Sequence, residues 1–459
     1  MQTSFSERQL STPGYAEAAK ILTDCVHYGF CTAGCPTYVL TRDENDGPRG
    51  RIDLIKAMLE KGGTPDAKAV HYLDRCLACQ SCMTTCAVNV DYMHLSDIGR
   101  AYIEEHFRRP WGERLLRAAL GYLLTDPRRM RAAMRLGALG RALRPVLPAA
   151  LRAMVDLQPG AVRGDVVVPA TYSAEGPERH RVALVPGCAQ QALNGDINAA
   201  TIRLLQRRGC SVVVALGSGC CGSLPLHMGR MDQARALAGA NLSAWQRELT
   251  TGLDAVIVNA SGCGTTVKDY GHLFADDPAR RDIAVRIAAI TRDVTEWIAE
   301  IGLAEPAGMP EYRVAYHDPC SMRNAQKVAR QPRALLHQAG FAVHDIPEGH
   351  FCCGSAGTYN ILQPDLARQL GARKARAIES VAPDIVVTAN IGCMVQIAYH
   401  LGAPVVHAVE MLDWATGGPK PAALAGQHLP DRPVRAKQPD QPITPDTAAP
   451  PPSTGGAVW

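Results

Sequence analysis

The residues of this sequence whose number and spacing could do chemistry are its cysteines. The 459 residues include 16 cysteines, seven of them before residue 87 and nine between residues 188 and 393. The first twenty residues contain no apolar stretch of the kind that directs secretion, so we expect a cytoplasmic protein. In a long chain that is not exported, so many cysteines indicate metal or redox chemistry rather than a disulfide framework.

The densest group of cysteines has the spacing of a bacterial ferredoxin. Cys76, Cys79, Cys82 and Cys86 follow the pattern C-x2-C-x2-C-x3-C, with Ala87 where proline is usual. In two-cluster ferredoxins the fourth cysteine of such a run binds the neighbouring cluster. A structural zinc site is the alternative, but zinc sites rarely need four cysteines this close together.

A second group of cysteines repeats this frame with one position changed. Cys25, Cys31 and Cys35 occupy three positions, and Tyr28 occupies the other. The interleaved arrangement predicts a complete [4Fe-4S] cluster held by Cys35, Cys76, Cys79 and Cys82. The ligands left for the other cluster are Cys25, Cys31 and Cys86, with Tyr28 in place of the fourth. We expect a [3Fe-4S] cluster there or a [4Fe-4S] cluster with one labile iron; an empty, vestigial half is the alternative.

The C-terminal cysteines form an internal repeat, in which four cysteines recur at offsets of 132, 132, 132 and 130 residues. The first copy contains Cys188, Cys220, Cys221 and Cys263, and the second contains Cys320, Cys352, Cys353 and Cys393. Cys210 has no counterpart and is predicted to be a core residue. Short apolar segments alternate with helical ones in each copy, which predicts a duplicated α/β domain with a mostly parallel sheet.

Four of the repeat cysteines come just after predicted strands: Cys188, Cys263, Cys320 and Cys393. Because loops at the ends of parallel strands converge, we expect the eight cysteines to gather into two sites. The glycines after the paired cysteines, Gly222 and Gly354, allow close backbone approach or a positive φ. Iron–sulfur, zinc and a reversible thiol pair all remain open as the content of these sites.

The sequence therefore predicts a multidomain protein of mixed α+β and α/β class. Its predicted parts are a helical two-cluster ferredoxin-type domain (residues 1–105), an Arg-rich helical linker (106–175), a first and a second cysteine-rich domain (176–305 and 306–416), and a Pro-rich disordered tail (417–459). The linker has 11 arginines from Arg108 to Arg152, which indicates either a solvated face or a surface for a partner or the inner face of the membrane. The overall charge of only +4 argues against nucleic acid as the main partner.

The segment Asp-Gly-Pro-Arg-Gly-Arg at residues 46–51 has two interpretations. It either closes a turn onto a helix beginning near Ile52 or contacts a partner. The chain has no Walker A motif and no Ser-His-Asp-type signature, and no organic redox cofactor is predicted on it.

These motifs together resemble the ferredoxin plus cysteine-rich (Cys-Cys-Gly) domain family, and within it the iron–sulfur subunits of bacterial glycolate oxidase. The resemblance covers about residues 15 to 420. It is carried by residues 25–32, 46–51, 316–320, 348–360 and 413–418. The family usually has cysteine where this sequence has Tyr28. Relatives with five-thiolate clusters carry further cysteines where this chain has Thr266 and Gln396, so such clusters are not expected here.

The resemblance implies a subunit that is not catalytic alone. Separate FAD-binding subunits would oxidise glycolate, and D-lactate as a second substrate, while this chain passes electrons toward a quinone or other acceptor. The alternatives are a heterodisulfide-reductase-like cluster enzyme and the iron–sulfur subunit of a D-lactate or glycerol-3-phosphate dehydrogenase.

Overall fold

The protein is described by a computed structural model for residues 1–139, 144–158 and 162–434. Its N-terminal domain consists of α1 (Glu7–Leu10), α2 (Pro13–Asp24), α3 (Pro36–Thr41), α4 (Pro48–Lys61), α5 (Ala67–Asp74), α6 (Ser81–Thr84) and α7 (Tyr92–His106). Prolines begin α2, α3 and α4, where a missing N–H loses no hydrogen bond. Leu22, Ile55 and Leu95 are fully buried where α2, α4 and α7 pack, which fixes the loops between them.

The Arg-rich segment forms α8 (Trp111–Leu123), α9 (Pro127–Leu139) and α10 (Ala149–Asp156). Two of its arginines are buried in ion pairs with the N-terminal domain: Arg109 and Arg117 lie 2.6 and 3.1 Å from the Asp74 carboxylate. These two arginines therefore attach the linker to α5 and do not contribute to a solvated face.

The first cysteine-rich domain is an α/β unit. It contains β1 (Ala170–Tyr172), β2 (His180–Leu184), α11 (Ala189–Leu193), α12 (Asp196–Gln206), β3 (Cys210–Val214), α13 (Ser223–His227), α14 (Met231–Leu249), β4 (Ala255–Val258), α15 (Ser261–Lys268), α16 (Tyr270–Leu273), α17 (Arg281–Ile290), β5 (Thr291–Asp293) and α18 (Val294–Ile301). The strand order is β1-β3-β2-β4-β5, and only the β1–β3 pair is antiparallel. The edge strand β1 lies within residues 106–175, which were predicted to be a helical linker. This strand was not predicted, because its residues are too few and too polar to give a strand pattern.

The second cysteine-rich domain repeats this architecture. It contains β6 (Arg313–His317), α19 (Arg330–Gln338), β7 (Ala342–Asp345), α20 (Tyr359–Leu362), α21 (Pro364–Glu379), β8 (Ile385–Thr388), α22 (Ile391–Leu401), β9 (Val405–His407) and α23 (Ala408–Ala415). Its sheet is wholly parallel, in the order β7-β6-β8-β9. This order matches β3-β2-β4-β5, so the prediction of two parallel-sheet domains is confirmed.

One hydrophobic core spans both copies, and the first copy has a second core of its own. The side chain of Asp413, on α23, is nearly inaccessible to solvent and forms ion pairs with Arg203 and Arg207 at the end of α12. The copies are therefore joined by apolar packing together with a buried charge network.

The prediction of disorder from residue 417 onward is wrong for the part that the structure describes. Ala423 and Leu424 are buried, Arg432 pairs with Asp384 at 2.9 Å, and Val434 forms a β-bridge with Pro310. Residues 435–459 of the predicted tail lie outside the described residues. Among the helices of the described part, none combines the length and the apolar composition needed to cross a membrane.

Candidate functional site

Four cysteines of the N-terminal domain line one small pocket: Cys35, Cys76, Cys79 and Cys82. Cys35 is the residue immediately before α3, and the other three lie on and just beyond the loop between α5 and α6. The structure thus brings together the set that interleaving of the two motifs predicts.

The loop that carries these cysteines has an unusual backbone. Ala78 and Gln80 have φ of 48° and 58°, in the left-handed region that non-glycine residues seldom adopt. This conformation turns the chain around the pocket and lets the Ala78 N–H donate to the Cys76 sulfur at 3.4 Å. The Tyr92 hydroxyl donates to the same sulfur at 3.6 Å. Hydrogen bonds to sulfur are one means by which proteins tune iron–sulfur clusters.

A buried arginine lies beside the same pocket. Arg51 is 1% exposed and donates to the carbonyl oxygen of Tyr72 at 2.9 Å and to the Thr37 hydroxyl at 3.1 Å. Its Nη1 atom is 3.9 Å from the Cys35 sulfur, and its Nη2 atom is 3.3 Å from the Asp46 carboxylate. Burial raises the pKa of Cys76, but the charges of Arg51 and Arg100 outweigh burial and lower it, so the thiolate is favoured overall.

The position of Arg51 accounts for residues 46–51. Of the two interpretations of this segment, the turn onto a helix is closer to the structure, but the helix begins at Pro48 and not near Ile52, because proline takes the first helical position. A Cβ at Gly50 would lie 2.3 Å from the carbonyl oxygen of Glu44, so only glycine fits there. This segment therefore places Arg51 beside the cysteines.

The remaining cysteines of the two ferredoxin motifs, Cys25, Cys31 and Cys86, belong to one hydrophobic cluster. Burial raises the pKa of Cys31, and Cys25 and Cys86 add to the rise, to about 11. Tyr28, at the position where the family usually has cysteine, is 69% exposed and its ring stacks on Phe30. The turn through Gly29, whose φ is 83°, directs this side chain toward solvent.

The eight repeat cysteines form two groups of thiols in contact, as the sequence predicts. The contacts run in the order Cys188, Cys220, Cys221 and Cys263 in one copy, and Cys320, Cys352, Cys353 and Cys393 in the other. The sulfurs of Cys320 and Cys352 are 3.7 Å apart. Both groups face a single cavity of about 520 Å³, which the sequence did not predict.

The glycine after each cysteine pair has a conformation that requires glycine. Gly222 and Gly354 both have a φ of 88°. A Cβ would lie 2.8 Å from the Ala234 carbonyl oxygen in the first copy and 2.7 Å from that of Ala367 in the second. The backbone just after the paired cysteines is therefore packed closely against α14 in the first copy and α21 in the second.

The opposite wall of the cavity is apolar and comes from the linker. Leu120, Met130, Met134, Leu151 and Met154, from α8, α9 and α10, line it. The Arg-rich segment thus covers the cysteines with its apolar face, a role that its charge did not indicate.

The N-terminal pocket adjoins the second cysteine group. Cys79 packs in the same apolar cluster as Cys320 and Cys352. The side chain of Asn324 donates to the carbonyl oxygen of Cys79 at 2.8 Å, which fixes the two domains at this point. The thiols therefore form a nearly continuous line from one domain into the other.

Two further features of the described residues were not predicted from the sequence. His317, three residues before Cys320, is buried beside Cys353 and Cys393; the signals for it were its place at the end of β6 and in residues 316–320, which carry the family resemblance. The second feature joins the N-terminal domain to the first cysteine-rich domain. His94 lies within hydrogen-bonding distance of Asp91 (2.5 Å) and Asp269 (3.1 Å) and stacks on His272, which contacts Glu17.

Cys210, which was predicted to be a core residue, is fully buried in β3.

Two family models match this chain. One, described as a 4Fe-4S dicluster domain, matches residues 21–90. The other, described as a Cysteine-rich domain, matches residues 182–268 and 314–398. These ranges coincide with the helical domain and with the two α/β copies.

Two curated proteins match most of this chain, and a third matches half of it. The chain is 40% identical over 415 residues to the glycolate oxidase iron-sulfur subunit of Escherichia coli, a match that covers 90% of this chain and 99% of that protein. It is 32% identical over 394 residues to a Bacillus subtilis protein named "Probable glycolate oxidase iron-sulfur subunit", covering 82% and 88%. Lactate utilization protein A of Bacillus licheniformis is 30% identical over 242 residues, 51% of this chain and 99% of that protein.

Proposed function

Because the chain belongs to the family of glycolate oxidase iron-sulfur subunits, we propose that it carries electrons away from the flavin of a 2-hydroxy-acid oxidase. It is an iron–sulfur subunit of such an enzyme and is not catalytic alone. The observation that carries this conclusion is the 40% identity along 90% of the chain. Glycolate is the first substrate to test and D-lactate the second, because a lactate utilization protein matches half of the chain.

The first [4Fe-4S] cluster belongs in the pocket of Cys35, Cys76, Cys79 and Cys82. The donor set fits, because four thiols surround one pocket and Arg51 and Arg100 offset their negative charge when they ionise. Such a cluster supplies one-electron chemistry, which divides the two-electron reaction of a flavin into single steps.

Cys25, Cys31 and Cys86 are the ligands of the second cluster. Three thiols without the phenolate of Tyr28 suit a [3Fe-4S] cluster or a [4Fe-4S] cluster with one labile iron. The first of these alternatives predicts an EPR signal of a [3Fe-4S] centre in the oxidised protein.

The flavin subunit docks on the loop that carries Tyr28. Val26, Tyr28 and Phe30 are 51%, 69% and 64% exposed, and they lie beside Cys25 and Cys31. A group of exposed apolar side chains is typical of a protein interface, and this one is next to a proposed cluster, where electrons would enter. Tyr28→Asp should abolish co-purification of the flavin subunit. Leu216→Asp, at a position that is 74% exposed on another domain, is the matched control and should not.

Electrons leave through the second cysteine-rich domain, because Cys79 packs against Cys320 and Cys352. These thiols face the cavity whose far wall is apolar. An apolar cavity with a few polar groups suits a small apolar acceptor such as a quinone.

The exposed face of α8 makes a peripheral contact with the membrane. Trp111, Leu115 and Tyr122 are 80%, 62% and 59% exposed and share one face of the helix, with Arg108 and Arg114 nearby. Aromatic and basic side chains on one face suit an anionic lipid surface. Sedimentation with anionic vesicles should fall for Trp111→Ser with Leu115→Ser and stay unchanged for the control Leu216→Ser.

The function is tested by EPR on the complex purified anaerobically through this chain. Glycolate should reduce the clusters when a flavin subunit co-purifies. A response to D-lactate alone would move the assignment to lactate. No response to either acid, with the flavoprotein present, would contradict the proposal.

A further inference from the structure

The two cysteine-rich copies differ at one buried position beside their thiols. His317 occupies the end of β6, and the residue 132 positions earlier, at the repeat offset, is Val185. Both side chains are 1% exposed. The four thiols are thus common to both copies, and the imidazole is present only in the second.

The imidazole of His317 is placed as a metal ligand would be. One ring nitrogen and the sulfurs of Cys353 and Cys393 all lie within 4.8 Å of one another. Neither ring nitrogen of His317 has a hydrogen-bond partner. A buried imidazole with both nitrogens unpaired is unfavourable, and a metal ion bound to one of them accounts for the arrangement.

Two further polar groups lie beside the thiols in the second copy only. The buried amine of Lys374 donates to the Glu348 carbonyl oxygen at 2.9 Å and lies within electrostatic reach of Cys352 and Cys353. The side chain of Asn390 donates to the Cys393 sulfur at 3.4 Å. The positions in the first copy that correspond to these two residues, at the repeat offsets, are Leu242 and Ala260, which can do neither.

We propose that His317, Cys353 and Cys393 hold a transition-metal centre, and that the first copy, lacking the imidazole, carries free thiols instead. Thiolate and imidazole together suit zinc and iron. Cys353 and Cys393 line the cavity, so the centre has one side toward it. Cys320 and Cys352 lie next to it and would complete a multi-iron cluster; without them the site binds a single ion. This proposal rests on the proposed function, because Cys320 and Cys352 of the second copy pack with Cys79, a ligand of the proposed first cluster.

The test is metal and sulfide analysis of the full chain, purified anaerobically, with His317→Val. This variant copies the residue of the first copy. It should lose either one zinc ion or the iron and sulfide of one cluster, and the EPR signals of the N-terminal domain should be unchanged. His317→Cys should retain the metal. The matched control, Cys263→Ser in the first copy, should lose none.

A second measurement does not depend on any variant. In protein reloaded with cobalt, or with its own cluster reduced, pulsed EPR should detect a strongly coupled nitrogen from His317. Absence of that coupling, unchanged metal content in His317→Val, or equal loss from Cys263→Ser would each overturn the inference. If the wild-type chain gave no EPR signals from the N-terminal domain, the proposed function would be contradicted instead. The two failures are therefore distinguishable.

Discussion

Replacing Arg51 by methionine should make the reduction potential of the cluster at Cys35, Cys76, Cys79 and Cys82 more negative. The guanidinium is buried, and its Nη1 atom is 3.9 Å from the Cys35 sulfur. A positive charge stabilises the reduced state, which carries one more electron. Methionine fills a similar apolar volume and removes that charge.

The magnitude follows from the distance. At an effective dielectric constant of about 20, two unit charges about 3.9 Å apart interact by about 4 kcal/mol. The added electron is spread over atoms further away than the sulfur, so we take roughly half, about 2 kcal/mol. For a one-electron couple this is a shift of about 90 mV to more negative potential.

The assay is an EPR-monitored redox titration of the anaerobically purified chain. Arg51→Lys is the matched control, because it retains the positive charge, and it should shift the potential by less than half as much. Asp46 keeps its ion pair with Arg75 at 2.9 Å in both variants, which limits the loss of stability. A potential for Arg51→Met within about 20 mV of the wild type, with iron content unchanged, would refute the reasoning.

Three further predictions concern other parts of the molecule. Tyr28→Phe should leave iron content and EPR spectra unchanged, because the ring is 69% exposed; any loss of iron would show that the phenolate is a ligand. Gly354→Ala should destabilise the fold by about 2–4 kcal/mol in chemical denaturation, through strain and the 2.7 Å contact of its Cβ. The control Gly252→Ala, with a similar φ of 86° and open space, should cost only about 1 kcal/mol; equal losses would contradict this account. Burial lowers the pKa of His94, but its hydrogen bonds to Asp269 and Asp91 outweigh burial and raise it to about 10. The ion pairs that raise this pKa stabilise the fold fully below the unfolded-state pKa of about 6.5, and their contribution is lost as pH rises through about 10. His94→Asn should therefore lower the melting temperature most near pH 6. The charged groups that face His94 are Asp91, Asp269, Glu17 and His272. If the melting temperatures of His94→Asn and the wild type differed by the same amount at every pH, this ion-pair network would be contradicted.

The sequence predicted the elements that have a strong local pattern. The strands β2, β3, β4, β6 and β8 consist largely of buried apolar residues, and these are the short apolar segments from which the parallel-sheet domains were predicted. The strand β5 reads Thr-Arg-Asp and β1 reads Ala-Thr-Tyr, so neither carries an apolar alternation or run. Their strand conformation comes from pairing with β4 and β3, which only the folded sheet supplies.

The site was predictable to the extent that spacing determines it. Cysteine is a rare residue, and cysteines at such close, repeated intervals usually bind metal or do redox chemistry, so the grouping of the thiols followed from sequence alone. Arg51 and His317 lie in segments that carry the family resemblance, but their roles were not predicted, because a single arginine or histidine acquires its role from what surrounds it in three dimensions. Tyr28 illustrates the converse: its position in the motif suggested a ligand, and one turn of the backbone at Gly29 directs it into solvent instead.

The apolar wall of the cavity could not be predicted for a related reason. Arginines dominate the linker, and their charge suggested an external surface, yet Leu120, Met130 and Met154 face the thiols. Arg109 and Arg117 are used internally, against Asp74 and Glu113. Which face of an amphipathic helix meets which neighbour depends on contacts that are distant in sequence.

The most direct test of the central claim is a stopped-flow measurement on the complex with its flavin subunit. After mixing with glycolate, the flavin absorbance should bleach first and the iron–sulfur absorbance second, with the flavin then recovering as electrons pass into this chain. In Cys35→Ser, which removes one thiol from the proposed cluster pocket, the flavin should bleach normally and recover at least tenfold more slowly. Recovery of the flavin at the wild-type rate in that variant would contradict the claim that its electrons leave through these cysteines.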